Sequence, residues 1–230
     1  MKKITSVLFL FYCFSVGWAQ TVPPCTLEIT DAETFARDWT VIDVNSDVSA
    51  NTWAYNDGNA MYTQDKSNAA DDWLIAPAVT LEAGKAYKVS AYVKHSSTFG
   101  SDKQKIELKI GTAPTVEGLT TRLVYDESFQ SRLFVEKSGT FSPAESGVFY
   151  VGLRCYSESY NGDLYFQKIV IEEAPVYPAQ ITDLSIVAGE RGAMSATLSW
   201  TWPSSDHLGG ALSNLLGAKI YRGTDLVATL

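Results

Sequence analysis

Oxygen-bearing side chains alternate in Asp43-Val44-Asn45-Ser46-Asp47, and the acidic pair Asp71-Asp72 follows downstream. Calcium takes several hard oxygen ligands at about 2.3–2.6 Å, so Asp43, Asn45, Asp47 and Asp72 form a candidate structural calcium set. The stretch is not an EF-hand, because that loop's glycine and its closing glutamate are missing. The same residues also read as an Asx turn, in which Asp and Asn side chains accept hydrogen bonds from their own backbone. Both readings stay open at this point.

A sugar site needs flat rings beside amide and carboxylate groups. Phe99, Tyr156, Tyr160 and Asn161 meet that description, the last three within Tyr156-Ser157-Glu158-Ser159-Tyr160-Asn161-Gly162. The competing reading is an ordinary exposed loop, since turns carry such residues for conformational reasons too. Trp39, Trp53 and Trp73 sit beside apolar strand residues and are expected in the core, where aromatic side chains bury large areas.

Catalytic machinery finds no support. The histidines are His95 and His207, with no Gly-x-Ser-x-Gly elbow and no Cys–His pair in suitable company. Asp126 and Glu127 are adjacent, so on a strand they point to opposite faces and cannot share a substrate. Neither a phosphate loop nor a dinucleotide fingerprint occurs. The expectation is a protein that is not an enzyme.

The elements that must carry these residues are strands. Ala86–His95 alternates Tyr87, Val89, Ala91 and Val93 against Lys88, Ser90, Tyr92 and Lys94, and Gln104–Ile110 repeats the pattern. Period-two alternation marks half-buried antiparallel strands. Gly147–Tyr156 and Asp163–Ile171 are longer apolar runs rich in β-branched and aromatic residues. Turn residues separate them at Glu82-Ala83-Gly84-Lys85, Ser142-Pro143 and Asn161-Gly162-Asp163. A helical turn is expected only at Asp31–Asp38. The fold class is therefore all-β, a jelly-roll sandwich. A proline linker at 175–179 leads to residues 180–230, where strands are expected at Ile181–Ile186, Met194–Trp202, Ala218–Arg222 and Leu226–Leu230. Those 51 residues are too few for a complete immunoglobulin-like sandwich, which takes about 100. The second unit is expected to be truncated, with exposed edges.

The N-terminus sets the compartment. Met1-Lys2-Lys3 precedes an apolar run to Trp18, and Gly17 and Ala19 stand at −3 and −1 of a cut before Gln20. That order is a cleaved signal peptide at 1–19, and its apolar run is shorter than the roughly 20 residues of a membrane span. The chain of 230 residues carries a formal charge of −8, and losing Lys2 and Lys3 makes the exported part more acidic. An acidic surface repels nucleic acid and anionic lipid. Cys25 and Cys155 remain after cleavage, either as a disulfide contributing about 4–5 kcal/mol in the chain-entropy model or as two free thiols.

Asp71-Asp72-Trp73-Leu74-Ile75-Ala76-Pro77, followed by Leu81-Glu82-Ala83-Gly84-Lys85-Ala86-Tyr87, resembles the signature of choice-of-anchor J domains. These are relatives of the cleaved adhesin modules of gingipain-type secreted proteases. Trp39–Asp43 with Thr52-Trp53 is similar to the family's upstream segment, and Gly147–Gly152 and Leu164–Phe166 to its closing strands. The resemblance spans about residues 25–173 and implies a concanavalin- or MAM-like jelly roll. Gln167-Lys168 stands where the family carries an Asp, so the resemblance does not carry over any calcium site that uses that Asp. Ile181–Leu184, Ala196–Trp200 and Lys219–Arg222 resemble a fibronectin type III module. Together these imply a secreted or cell-surface adhesion module for glycan or host protein, joined to further domains of a longer chain. The alternative is a structural spacer within a larger exported protein.

Overall fold

Among the described residues, apolar–polar alternation makes strands of nearly all the regular secondary structure. The computed structural model describes residues 21–46, 51–97, 102–192, 194–207, 209–212 and 215–230. The expected signal peptide, Asp47 and Phe99 lie outside the described residues. The chain starts with β1 (Cys25–Glu28), α1 (Ala32–Asp38) and β2 (Thr40–Asp43), then β3 (Trp53–Asn56), β4 (Asn59–Tyr62), β5 (Asp72–Ile75) and β6 (Val79–Leu81). The long strands follow: β7 (Tyr87–His95), β8 (Gln104–Gly111), β9 (Thr121–Phe129), β10 (Val135–Phe141), β11 (Gly147–Cys155) and β12 (Leu164–Glu173).

They form two six-stranded antiparallel sheets. One runs β10-β7-β12-β4-β3 with β1 paired to β12, and the other β2-β5-β11-β8-β9 with β6 paired to β11. The sheets pack face to face as a sandwich. Val89, Ala91, Val93, Phe166, Ile169 and Ile171 of the first meet Leu74, Ile106, Leu108, Val151 and Leu153 of the second in one buried core. Trp39 and Trp53 belong to it, as the sequence implied, with Trp39 edge-on to Phe166 at 5.3 Å. Edge strands β9 and β10 close one side. Gly139 of β10 sits so close to Leu123 that a methyl group there would lie 2.5 Å from its carbonyl oxygen, and Lys137 Nζ reaches Asp126 Oδ2 at 2.7 Å.

The second sheet is covered on its outer face as well. Residues 112–120 fold back over it and seat Leu119 against Trp73 and Ile75 in a smaller apolar cluster. Trp73 is therefore buried outside the main core, on the opposite side of its sheet.

Among the described residues, the single helix, α1, is where the sequence placed it. Asp31 caps it, accepting the Thr34 amide at 2.7 Å, and Phe35 anchors it to the core. Asp57 (φ 45°) and Gly58 (φ 76°) make the two-residue turn joining β3 to β4, the left-handed pair that a tight hairpin requires.

Cys25 and Cys155 are free thiols. Cys25 pairs with Ile171 toward the far end of β12, whereas Cys155 ends β11, next to the loop that leads into β12. Full burial pushes the Cys155 thiol up to about 12, so it stays protonated.

Beyond the sandwich, β13 (Ser185–Ala188) pairs with β14 (Ala196–Ser199), and β15 (Lys219–Arg222) with β16 (Asp225–Thr229). Each is a two-stranded hairpin, and Ile186, Val187, Tyr221 and Leu226 are all more than half exposed. β14 and β15 are shorter than the expected runs, β13 is shorter and begins later, at Ser185 instead of Ile181, and β16 keeps the expected length one residue earlier; a lone hairpin buries little and ends where its pairing ends. Among the described residues, no helix is long and apolar enough to cross a membrane.

Candidate functional site

Side chains on the outer face of the second sheet line up across its strands. Tyr125 of β9 pairs with Glu107 of β8, Glu107 with Arg154 of β11, Arg154 with Trp73 of β5, and Trp73 with Ile42 of β2. Residues opposite each other share a face, so these five form one transverse row. Its middle is rigid. Arg154 forks onto Asp71, with Nε to Oδ1 at 2.7 Å and the second nitrogen to Oδ2 at 2.8 Å. Its guanidinium lies over Trp73 at 5.6 Å and over Tyr156 at 5.1 Å. That bidentate geometry fixes orientation as well as charge. Glu107, 3% exposed, is ringed by Arg122 Nε at 2.8 Å, Lys109 at 3.5 Å and Arg154 at 3.6 Å.

At the open end of the row stands Tyr125, 51% exposed. Tyr156 stacks against it at 6.0 Å and 24°, Arg122 lies 4.7 Å from its ring centre, and its hydroxyl donates to Glu127 Oε1 at 2.6 Å. Burial raises the Tyr156 phenol above its ordinary range, so it remains a neutral group throughout physiological pH. The result is an aromatic surface held by charged neighbours on several sides.

Tyr156 thus joins this patch rather than projecting from the following loop. Tyr160 is 65% exposed at the loop tip, in a left-handed conformation (φ 66°). Asn161 is held from below: its carbonyl accepts from His95 Nε2 at 2.5 Å and from Gln104 Nε2 at 3.1 Å, while its side chain donates to Glu158. Gln104 is wholly buried; its amide also donates to Gly162 at 2.6 Å, and its carbonyl accepts from Ser157 Oγ at 2.5 Å and Cys155 Sγ at 3.3 Å. The structure brings Tyr156 together with Tyr125 and Arg154, and places Tyr160 and Asn161 on a separate, braced loop.

A second brace is Asp65. Its carboxylate accepts the amides of Ser67 at 2.6 Å and Asn68 at 3.1 Å, and the Asn51 side chain at 2.7 Å. Its own carbonyl accepts from the Tyr160 amide at 2.9 Å. Those donors hold the carboxyl at about 2, against an ordinary 3.8. A folded pKa below the unfolded one stabilises the fold above the unfolded value, and that contribution disappears as pH falls through the folded value. Thermal melts of the wild type should therefore lose stability between about pH 4 and about pH 2. Asp65→Asn should melt lower at neutral pH and show a shallower acid slope; parallel slopes would remove Asp65 from this role.

Of the calcium candidates, Asp43, Asn45 and Asp72 lie among the described residues, each bonded to its own surroundings. Asp43 Oδ1 accepts the Ser46 amide at 2.7 Å, the Asx turn of the alternative reading. The Asn45 side chain donates to the Ala69 carbonyl at 2.7 Å. Asp72, opposite Asp43 across β2 and β5, is fully buried and accepts the Asp71 amide at 3.2 Å. Among the described residues, no three acidic, histidine or cysteine side chains gather as a metal site; Asp47 lies outside them.

Sequence reasoning missed Tyr125, Arg122 and Glu107. Glu107 lies in a recognised strand, but its burial was not readable from the alternation that places it outward. Tyr125 lies in β9, whose apolar period is broken by Arg122, Asp126 and Glu127.

No known family model and no curated protein matches the chain. Among solved structures, the K3 cleaved adhesin domain of Lys-gingipain from Porphyromonas gingivalis w83 is similar with a TM-score of 0.46 and 12% identity, over 63% of this chain and 92% of that one. The K1 domain of the same protein gives 0.45 and 14%, over 66% and 99%. A CBM22-1 xylan-binding domain from Paenibacillus barcinonensis gives 0.40 and 15%, over 68% and 97%.

Proposed function

We propose that this chain is a non-catalytic binding module that takes an extracellular glycan on the outer face of its second sheet, at Tyr125 and Tyr156. The observation carrying this reading is the half-exposed Tyr125 ring, fixed by Tyr156, Arg122 and Glu127. A ring already immobilised loses little entropy on stacking against a sugar, and preorganisation of this kind raises affinity. Arg122 and Glu127 stand beside it to exchange hydrogen bonds with hydroxyl groups. The module works outside the cell, as the basic, apolar and small residues of 1–19 imply.

Titration of the full chain against a panel of neutral oligosaccharides tests this. Tyr125→Ala should weaken the best hit about tenfold or more, equivalent to about 1.4 kcal/mol, without lowering the melting temperature. Tyr160→Ala should leave it within about twofold, since Tyr160 is on another loop. An affinity unchanged in Tyr125→Ala removes the site, and failure to bind any member of the panel favours the spacer.

A further inference from the structure

The opposite sheet carries a second transverse row. Lys94 of β7 pairs with Tyr165 of β12, Tyr165 with Met61 of β4, and Met61 with Ala54 of β3. Continuing the β7–β10 register past Val93–Val135 sets Phe134 beside Lys94. The Lys94 ammonium lies 4.5 Å from the Tyr165 ring centre and 4.9 Å from that of Phe134. All four side chains, Phe134, Lys94, Tyr165 and Met61, are half-buried on the outer face. With strands about 4.8 Å apart, the row from Phe134 to Met61 runs about 14 Å, the length of a short oligosaccharide.

Lys94 differs from every other strand lysine of the sandwich. Lys88, Lys105, Lys109, Lys137 and Lys168 each have a carboxylate within 4 Å, at Glu136, Glu158, Glu107, Asp126 and Glu28. Among the described residues, Lys94 has no ion pair. The carboxylate two positions before Tyr165, Asp163, is used to accept the Gln64 amide at 3.1 Å. On a chain of net charge −8, a cation left without an acid and bracketed by two rings is an opening for an anion from outside.

We infer that this row is a binding site for an acidic polysaccharide, a chain of uronate residues, with the ring of one residue stacked on Tyr165 or Phe134 and its carboxylate on the Lys94 ammonium. A uronate carries an apolar ring face and a carboxylate on one rigid unit, which matches rings and a cation at strand spacing. An acidic peptide carries its carboxylates on flexible stems, with no ring face to stack. The extended row suits a residue within a chain better than a terminal one.

The test is calorimetric titration of the full chain with oligogalacturonate, with the same oligomers reduced at their carboxyl groups, and with polyglutamate. The uronate should bind; the reduced oligomers and polyglutamate should bind at least about tenfold more weakly, a difference of about 1.4 kcal/mol. Lys94→Met should lose about tenfold or more of the uronate affinity, while Lys94→Arg keeps most of it. Raising salt from about 50 to about 500 mM should weaken the wild-type interaction, since exposed charge pairs are screened; this reading needs no variant. Tyr125→Ala should leave uronate binding intact, so this site and the one on the other sheet fail separately. No uronate binding, equal binding of the reduced oligomers or polyglutamate, or full affinity in Lys94→Met would each overturn the assignment.

Discussion

Replacing Gln104 with leucine is expected to cost about 4 kcal/mol of stability, from several buried groups at about 1–3 kcal/mol each. Gln104 is fully buried and bonded to the Asn161 and Gly162 carbonyls, the Ser157 hydroxyl and the Cys155 thiol. Leucine fills the volume but removes all of these hydrogen bonds in a buried place, leaving the Asn161 carbonyl only its His95 partner. Ser157 has a further duty, since its hydroxyl accepts the Lys105 amide at 2.9 Å. The loop from 157 to 163 should loosen first, and limited proteolysis should cut it near Tyr160. Denaturant melts measure the loss. A change below about 1 kcal/mol, the worth of an ordinary single hydrogen bond, would mean that the network does not hold the loop.

Gly111→Ala should be damaging for a different reason. An added methyl group would lie 1.8 Å from the Gly118 carbonyl oxygen and 2.8 Å from the Leu119 Cα, both backbone atoms that no rotamer change can move away. Relief requires the 112–120 segment to lift from the sheet, which unseats Leu119 from Trp73 and Ile75. Overpacking of this kind costs about 3 kcal/mol, and in a unit of this size that lowers the melting temperature by roughly 10 °C. Gly147→Ala, where the new methyl group meets nothing within 4 Å, is the control. Similar melts for the two variants would show that the segment gives way at no cost.

The long strands were legible because each buries one face and exposes the other. β7, β8, β11 and β12 fall within a few residues of the runs that alternation marked, and the helix starts at the Asp31 cap. β9 and β10 were not legible. The partly buried positions of β10 hold Val135, Lys137, Gly139 and Phe141, so a lysine and a glycine interrupt the apolar period. Gly139 is there because β9 passes too close for a side chain. The β3–β4 turn carries a readable signal, Asp57-Gly58, of a tight hairpin. Gln167, where the resembled family has an Asp, falls at the register shift between Phe166 and Lys168.

The candidate sites were harder to read, for a geometric reason. Tyr125, Glu107, Arg154 and Trp73 belong to four strands, of which only β8 and β9 are consecutive in the chain, and the register brings them into one row. Tyr156 reads in the sequence as a loop aromatic able to face a sugar, and it lies in the patch as the inner member of a stacked pair. The loop run of Tyr160 and Asn161 gave a structural answer: Asn161 contributes its carbonyl to a buried clasp beneath it.

Strand β5 is buried at all four of its residues, because one side of it faces the main core and the other lies under the Leu119 segment. Solvent reaches its peptide groups only when the two-sided covering comes away altogether. Deuterium should therefore enter Leu74 and Ile75 last of all, at the pace of global opening, while the amides of β13 and β16 label within the dead time of mixing.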